Sequence, residues 1–416
     1  MKAPSKRKHA DWIAAYLSYT KYLEAPDQFH YWTAVSTVAG ALGRKTWIDM
    51  INFHWTPNFY IVFVGPAGYV NKTTSISPGQ KLLRQVPGAN FGPKVLTWEY
   101  LIKRFCEVQR SIEVDKRLFP MAEINCFVGE LGTFFDPTNR QLVDALVDLW
   151  DSPSGPWEKG TVGSGLSTIH TPWLNILACT TPDWIQRYMD SSMIGGGFMS
   201  RTIFIWGDSK RHMCAYPGFQ KERKDTEKEE SDLLADLVHI SDLKGRYVLS
   251  PDAIEWGEEW YKNLWCGARP KNLTSPQFQS YFARKQTHLH KLAIVLAASQ
   301  RDELVIQVPD LVRAEALLTT IEENLPLIVG LIGRNQASAR NSELLSLITQ
   351  AGTIPERDLW RLTMDSIGEY RFFKEALNAL IMSGQVKSLT SKSENIIVST
   401  AFAERARQEK LNAQKD

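Results

Sequence analysis

Residues 59–76 have the sequence FYIVFVGPAGYVNKTTSI, and no other stretch says as much about the architecture. The apolar residues 61–64 indicate a buried strand, the small residues after them indicate a tight turn, and the hydroxyl-rich segment beyond indicates a helix. A strand, a glycine-containing turn and a helix that begins with lysine and a hydroxyl residue form a loop whose backbone N–H groups surround a phosphate. The residues predicted to bind phosphate in this way are Gly65, Gly68, Asn71, Lys72, Thr73 and Thr74.

The spacing within this loop differs from the usual phosphate-binding pattern, G-x-x-x-x-G-K-[ST]. Lys72 lies one position further from Gly65 than the pattern requires, and Asn71 precedes the lysine where glycine is normal. Asparagine is among the few residues that tolerate a positive φ, so Asn71 is compatible with such a loop. The alternative is an ordinary turn with an incidental lysine. The helix that follows is expected to be interrupted or bent near Pro78.

The composition is that of an ordinary soluble globular protein, with 44% hydrophobic residues and a formal net charge of +2. A length of 416 residues suggests two or three domains. Five scattered cysteines without a C-x-x-C pair indicate neither zinc nor a disulfide framework, and they favour a reducing compartment. No apolar run approaches the ~18 residues that span a bilayer, and no apolar signal core follows the basic N-terminus. We therefore expect a cytoplasmic protein with no membrane partner.

The order of strands and helices predicts the fold class. Buried strands are expected at residues 60–64, immediately before Glu130, at 173–181 and at 202–206, with helices between them. This alternation predicts a largely parallel sheet. Together with the loop, it predicts an α/β P-loop NTPase core of the RecA-like or AAA+-like kind.

Four segments are expected along the chain. Residues 1–50 form an N-terminal helical collar, 51–208 the ATPase core, 209–335 a charged linker and helical domain, and 336–416 a winged-helix-like domain with a tail. The collar and the helical domain are predicted from 3.6-residue apolar periodicity. In the last segment three helices precede a short hairpin, with Gly384 ending the third helix, which is the order typical of a terminal winged helix.

Glu130 is the candidate catalytic carboxylate. Hydrolysis of ATP on such a core needs a carboxylate at the tip of a neighbouring strand to hold Mg²⁺ or to orient the attacking water. Glu130 follows the apolar run CFV, so that Mg²⁺ would be bound by Thr73, Glu130 and water. An Asp usually precedes this Glu, whereas here the preceding residue is Gly129. The alternative is that Glu130 only caps the next helix.

A polar residue at the end of a third strand, between the other two in space, would contact the γ-phosphate or position the water. Thr180 and Thr181 in ACTTPDW fit this role, and Pro182 is a favourable first helical residue. The alternative for this pair is an N-cap of the helix that follows, and both roles are compatible.

Arg201, in GGGFMSRTIFI, follows three glycines and precedes a buried strand. A guanidinium exposed at a flexible loop is what an arginine finger requires, because it neutralises charge on the leaving γ-phosphate of the next subunit. Such a residue implies a ring or filament. A surface salt bridge is the alternative.

The segment WEKGTVGSG predicts a hairpin that would face the pore of a ring. Lys159 would contact a phosphate backbone and Trp157 would stack on a base of DNA. A Gly-rich surface hairpin without this role is the alternative.

Taken in order, these motifs resemble the helicase-like P-loop proteins of phages, prophages and plasmids, the uncharacterised primase-helicase-associated ATPase family. The resemblance covers about residues 10–330 and is carried by GRKTW, PNFYIVFVGPAG, NKTTSI, FVGELGTFF, LVDLWDSP, LACTTPDWI, GGGFMSRTIFI and RKQTHLHKLAIVLA. It implies an ATPase core that acts in replication of a mobile element. It also implies the family roles of Walker A lysine and hydroxyl, Walker B acid, sensor and arginine for Lys72 and Thr73, Glu130, Thr180 or Thr181, and Arg201.

Three functional hypotheses follow. The first is an oligomeric, hexameric ATPase that uses ATP and Mg²⁺ to translocate on or unwind DNA, with a separate primase or replication protein as a further partner. The second is a non-motor ATP switch, such as a helicase loader or a defence-system ATPase, which Gly129 makes plausible. The third is a DNA-binding protein that uses the winged helix, with a vestigial loop.

Overall fold

The computed structural model describes residues 7–93, 97–114, 116–137, 139–161, 165–189, 192–195, 197–219, 226–332, 334–391 and 394–400. The chain forms two compact units, Met1–Leu331 and Ile332–Asp416. None of the helices in these ranges is both long enough and apolar enough to cross a bilayer.

The first unit contains most of the secondary structure. Its helices are α1 (Trp12–Tyr19), α2 (Asp27–Leu42), α3 (Lys72–Leu83), α4 (Trp98–Glu107), α5 (Leu131–Phe134), α6 (Arg140–Trp150), α7 (Pro182–Tyr188), α8 (Ser192–Gly195), α9 (Phe198–Arg201), α10 (Thr226–Ser241), α11 (Pro251–Cys266), α12 (Gln279–Gln300), α13 (Val308–Glu322) and α14 (Leu325–Val329). Its strands are β1 (Thr46–Asp49), β2 (His54–Trp55), β3 (Tyr60–Val64), β4 (Arg110–Val114), β5 (Arg117–Val128), β6 (Pro156–Thr161), β7 (Gly165–His170), β8 (Pro172–Thr180), β9 (Thr202–Trp206), β10 (Gly245–Leu249) and β11 (Val305–Ile306).

A five-stranded sheet with the order β4-β5-β8-β3-β9 forms the centre of this unit. Strands β5, β8, β3 and β9 are parallel, and only the edge strand β4 is antiparallel. The predicted α/β class with a largely parallel sheet is therefore confirmed. Val64, the last residue of β3, lies opposite Thr180 on one side and Trp206 on the other. The carboxyl ends of the parallel strands thus meet at one edge, where ligands bind in open α/β sheets.

Helices from distant parts of the chain pack on one face of this sheet. Phe29 of α2 stacks on Phe63 of β3 with ring centroids 4.4 Å apart, and residues 292–298 of α12 are completely buried in the same cluster. The helices of the predicted collar and those of the predicted helical domain therefore share one apolar core with the sheet.

Of the two expectations for Pro78, an interruption or a bend, the interruption is wrong, because helix α3 continues to Leu83. A proline within a helix removes the donor to the carbonyl four residues earlier, here that of Thr74. Thr74 is exposed in the first turn, so water can satisfy this carbonyl.

Two smaller sheets complete the first unit. One has the order β11-β10-β1-β2, in which β1 pairs in parallel with β10 about 200 residues later, and the other is the β6–β7 hairpin. The sequence did not predict these four strands. β2 and β11 have two residues each, and β1 and β10 pair with each other across most of the unit.

In the described part of the second unit there are three helices, α15 (Arg334–Ala351), α16 (Glu356–Ile367) and α17 (Tyr370–Met382), and three strands, β12 (Thr353–Pro355), β13 (Val386–Ser391) and β14 (Glu394–Ser399). The strands form an antiparallel sheet with the order β12-β14-β13, and Phe373, Leu377 and Ile397 lie in its core with the helices. The three expected helices and the hairpin are present, and the short strand β12 was not expected. The winged helix itself stays a prediction.

Candidate functional site

Two residues of the loop after β3 have a positive φ. Asn71 adopts φ 53° and ψ 37°, in the left-handed region, directly before the first residue of α3. Gly68 also has a positive φ, of 69°. At Gly65 a Cβ would lie 2.2 Å from the carbonyl oxygen of Gly207, so only glycine fits between this loop and the chain that follows β9. The loop therefore brings the first turn of α3 to the carboxyl edge of the sheet.

Lys72 is the first residue of α3, and its side chain turns back into the loop. Its side chain is buried, and its ammonium donates hydrogen bonds to the carbonyl oxygens of Gly65 at 2.6 Å and Pro66 at 2.8 Å. Burial lowers the pKa of Lys72, while the thiol of Cys179 and the carboxylate of Glu130 act in the opposite direction. Lys72 and Glu130 are therefore close enough to interact electrostatically at this edge.

Thr73 contacts the residue that precedes Glu130. Its hydroxyl donates a long hydrogen bond of 3.4 Å to the carbonyl oxygen of Gly129. A Cβ at Gly129 would lie 3.2 Å from the methyl group of Thr73, which is tighter than ordinary van der Waals contact. The close approach of α3 is compatible with glycine at this position. Glu130 directly follows Gly129, just beyond the end of β5.

Glu130 is at the N-cap position of α5, but its side chain makes no capping hydrogen bond. The alternative that it serves only as a helix cap is therefore not supported. The side chain reaches solvent. The pKa of Glu130 is nevertheless raised, because the loss of some surrounding water outweighs the opposite effect of the Lys72 ammonium. Strand β8 separates β5 from β3, so Glu130 lies two strands away from the loop rather than on the adjacent strand.

The two threonines after β8 have different environments. Thr180 is completely buried, and its hydroxyl has no hydrogen-bond partner among the described residues. Thr181 is partly exposed, and its hydroxyl oxygen accepts a hydrogen bond of 3.2 Å from the N–H of Trp184 as the N-cap of α7. Capping leaves the hydroxyl hydrogen of Thr181 available as a donor. Of the two candidates, Thr181 alone is accessible to a ligand.

The sequence suggests that Arg201 is exposed at a flexible loop, and the structure differs. It is the last residue of the short helix α9 and is only 7% exposed. Its guanidinium donates to Asp151 at 2.7 Å and to the carbonyl oxygen of Gly197 at 3.2 Å, and it lies 5.7 Å from the ring centroid of Trp150. The glycines before Arg201 indicated mobility, but an ion pair with a residue 50 positions earlier holds the side chain. Arg201 precedes β9 and so lies at the amino edge of the sheet, away from Lys72.

Replacement of Arg201 by alanine is expected to lower the free energy of unfolding by about 2 kcal/mol, because it leaves Asp151 without its closest partner in a partly buried pair. Urea denaturation would measure this change. Arg284→Ala is the matched control, since Arg284 reaches the same carboxylate at 3.5 Å from a more exposed position. Its effect should stay within about 0.5 kcal/mol. Equal stability of Arg201→Ala and the wild type, with loss of ATP hydrolysis, would instead support the arginine-finger role.

Trp157 and Lys159 lie on one face of β6, where they pack on helix α4. The ring of Trp157 meets that of Trp98 edge to face at 5.6 Å, and the Lys159 ammonium is 4.5 Å from the Trp98 centroid and 4.0 Å from Glu99. These contacts attach the hairpin to α4. Both side chains stay partly exposed, so their contact with DNA stays a prediction. Residues 162–164 at the hairpin tip lie outside the described residues.

Glu24, in the turn between α1 and α2, belongs to the site although the sequence did not indicate it. Its Oε2 accepts hydrogen bonds from the side-chain amide of Asn71 and from the Lys210 ammonium, both at 2.7 Å, and its Oε1 accepts one from the N–H of Cys214 at 2.9 Å. The Lys210 hydrogen bond and the other donors lower the pKa of Glu24 to about 2. The Glu24 carboxylate, in the turn between α1 and α2, is therefore hydrogen-bonded both to the loop after β3 and to the chain after β9.

The chain has no match among protein-family models or curated proteins. Within the described ranges, no cluster of three or more His, Cys, Asp or Glu side chains is suited to hold a metal ion. A Mg²⁺ ion bound to a nucleotide needs only one or two protein oxygens besides the phosphates. The hydroxyl of Thr73 and the carboxylate of Glu130 are of this type.

Proposed function

We propose that the protein is an ATPase with a variant phosphate-binding loop after β3. The observation that carries the proposal is the arrangement of Asn71, Lys72 and Thr73. Asn71 ends the loop in the left-handed conformation, and the Lys72 ammonium lies inside the loop. Thr73 is the second residue of a 12-residue helix that begins at the carboxyl edge of a parallel sheet. This arrangement is suited to a triphosphate, because helix N–H groups, a cation and a hydroxyl come together at the start of one helix.

Each residue of the site would have a separate role in ATP binding or hydrolysis. The Lys72 ammonium would bind the β- and γ-phosphates, and the N–H groups of the first turn of α3 would bind their oxygens. Thr73 and Glu130 would hold Mg²⁺, which neutralises phosphate charge when bound. Glu130 would also orient the attacking water, and the Thr181 hydroxyl would donate a hydrogen bond to the γ-phosphate. With glycine at position 129, Glu130 would serve without a neighbouring Asp.

We further propose that this ATPase is an oligomeric DNA helicase or translocase, with a hexamer as the expected assembly, that acts in replication of a phage or other mobile element. The ordered motifs support this role through their resemblance to helicase-like P-loop proteins. The second unit supports it because three helices and an antiparallel hairpin match the order of a DNA-binding winged helix. A separate primase or replication protein would supply priming.

One observation favours a non-motor ATP switch, such as a helicase loader or a defence-system ATPase, as the second candidate. Arg201 is itself buried, is held in an ion pair with Asp151, and would have to leave it to reach a neighbouring subunit. A protein without a trans arginine would hydrolyse ATP slowly and would retain the nucleotide.

Steady-state ATP hydrolysis, measured with and without single-stranded DNA over a range of protein concentrations, tests the proposal. A motor predicts a rate per subunit that rises cooperatively with concentration and increases with DNA. A low rate that DNA does not change, with tightly retained nucleotide, would favour the switch. Absence of any nucleotide binding would contradict both and leave the DNA-binding hypothesis.

A further inference from the structure

Lys210 is a second cation next to the phosphate loop. Its ammonium and the side-chain amide of Asn71 each lie 2.7 Å from the same oxygen of Glu24, so the two nitrogens are at most about 5.5 Å apart. Asn71 immediately precedes Lys72, the residue proposed to bind the terminal phosphates. The Lys210 side chain is 20% exposed, so it is accessible from solvent at this edge.

The backbone near Lys210 is fixed against the loop and against the α1–α2 turn. Gly207 donates its N–H to the carbonyl oxygen of Val64 at 2.9 Å, and a Cβ at Gly65 would clash with the carbonyl oxygen of Gly207. The N–H of Arg211 donates to the carbonyl oxygen of Glu24 at 3.1 Å, and its guanidinium donates to the carbonyl oxygen of Leu23 at 2.6 Å and to Asp27 at 2.7 Å. The stem of Lys210 therefore starts from a fixed position beside the loop.

The partner of Lys210 is a carboxylate oxygen, which resembles a phosphate oxygen in charge and in hydrogen-bond acceptance. An ammonium on a flexible four-carbon stem binds phosphates as a mobile point charge. A triphosphate in the loop carries more negative charge than the single carboxylate of Glu24, so it would compete for the same cation. Asn71 would stay on Glu24, because its amide is neutral and its backbone conformation is needed for the loop.

We propose that Lys210 is a second phosphate-binding residue of the nucleotide site, held beside the loop by Glu24, which also positions Asn71. The inference rests on the proposed ATPase function and adds a residue to its site. With Lys210 as a ligand, the segment after β9 would contact the nucleotide as well as the loop after β3. Glu24 would act through Asn71 and Lys210 and is a positioning residue.

Titration of the full-length protein with a fluorescent ATP analogue and with the matching ADP analogue tests this inference. Lys210→Met should weaken ATP-analogue binding about tenfold, the loss expected for one charge-assisted hydrogen bond, and should weaken ADP-analogue binding less. The same tenfold loss should appear when Lys210→Met is added to Glu24→Gln, since the ion pair is already absent in that background. Lys210→Arg should restore affinity to within about threefold of wild type.

The matched control is Lys81→Met. Lys81 also forms an ion pair with a glutamate, at 2.6 Å from Glu230, but it is 63% exposed on α3, nine residues after Lys72. Its substitution should leave both affinities unchanged, and thermal unfolding would verify that each variant is folded. If Lys210→Met has no effect on ATP affinity in the Glu24→Gln background, Lys210 is only a structural ion-pair partner and the inference is overturned. If the wild type itself binds no nucleotide, the proposed function fails and this inference fails with it.

Discussion

Lys72→Ala is expected to abolish nucleotide binding, with an increase in the dissociation constant for ATP of at least 100-fold. The Lys72 ammonium lies within the loop at 2.6 and 2.8 Å from two of its carbonyl oxygens, where it would face the β- and γ-phosphates. Loss of two charge-assisted hydrogen bonds, each worth about 1.5–3 kcal/mol, corresponds to a change of this size. Titration with a fluorescent ATP analogue in the presence of Mg²⁺ would measure it.

The same substitution removes two hydrogen bonds within the loop, so folding must be measured separately. Lys72→Ala should unfold within a few degrees of the wild type, because the Gly65 and Pro66 carbonyls would then be solvated. Lys81→Ala, on the same helix, should bind the analogue as the wild type does. An affinity of Lys72→Ala within threefold of the wild type would show that the segment is a turn with an incidental lysine.

Local patterns in the sequence predicted those parts of the fold whose determinants are close together in the chain. The expected strands at 60–64 and 202–206 have the same bounds as β3 and β9. The positive φ of Asn71 agrees with the expectation that asparagine can replace glycine there, because only a few residue types are stable in that conformation. In each case a run of apolar residues or one special residue is sufficient to determine the conformation.

Arg201 shows why other predictions failed. The glycines before it are a local signal for a loop, but its burial depends on Asp151 and Trp150, which the fold brings from 50 residues earlier. Sequence periodicity contains no information about such a pairing. The contact of Lys159 with Trp98 could not be predicted for the same reason, because β6 and helix α4 are remote in the chain.

The role of Glu24 could not have been predicted from sequence either. It lies in a polar turn between two helices, without a motif, and its partners are 47 and 186 residues away. The one available signal was indirect. An asparagine in place of glycine before Lys72 adds a side chain that needs a hydrogen-bond partner, and Glu24 provides it.

Glu130→Gln is expected to separate binding from hydrolysis. Glutamine keeps the shape and one oxygen for Mg²⁺, so ATP affinity should stay within about threefold of the wild type, whereas kcat should fall by at least 100-fold. Burial raises the pKa of Glu130 in the free protein, and a general base must be deprotonated, so the acid limb of the kcat/KM profile, which reports the free enzyme, should lie at a higher pH than for an ordinary glutamate. Binding titrations, single-turnover hydrolysis and a pH–rate profile would measure these effects.

Asp183→Asn is a suitable control, because Asp183 is an exposed carboxylate in the first turn of α7 at the same edge of the sheet. It should change neither affinity nor rate, since it has no proposed role. Normal turnover by Glu130→Gln would mean that another group orients the water, even though Lys72 and Thr73 still bind the nucleotide. Because Gly129 supplies no second carboxylate, a rate that survives this substitution would also exclude the usual Walker B arrangement on β5 as the source of hydrolysis.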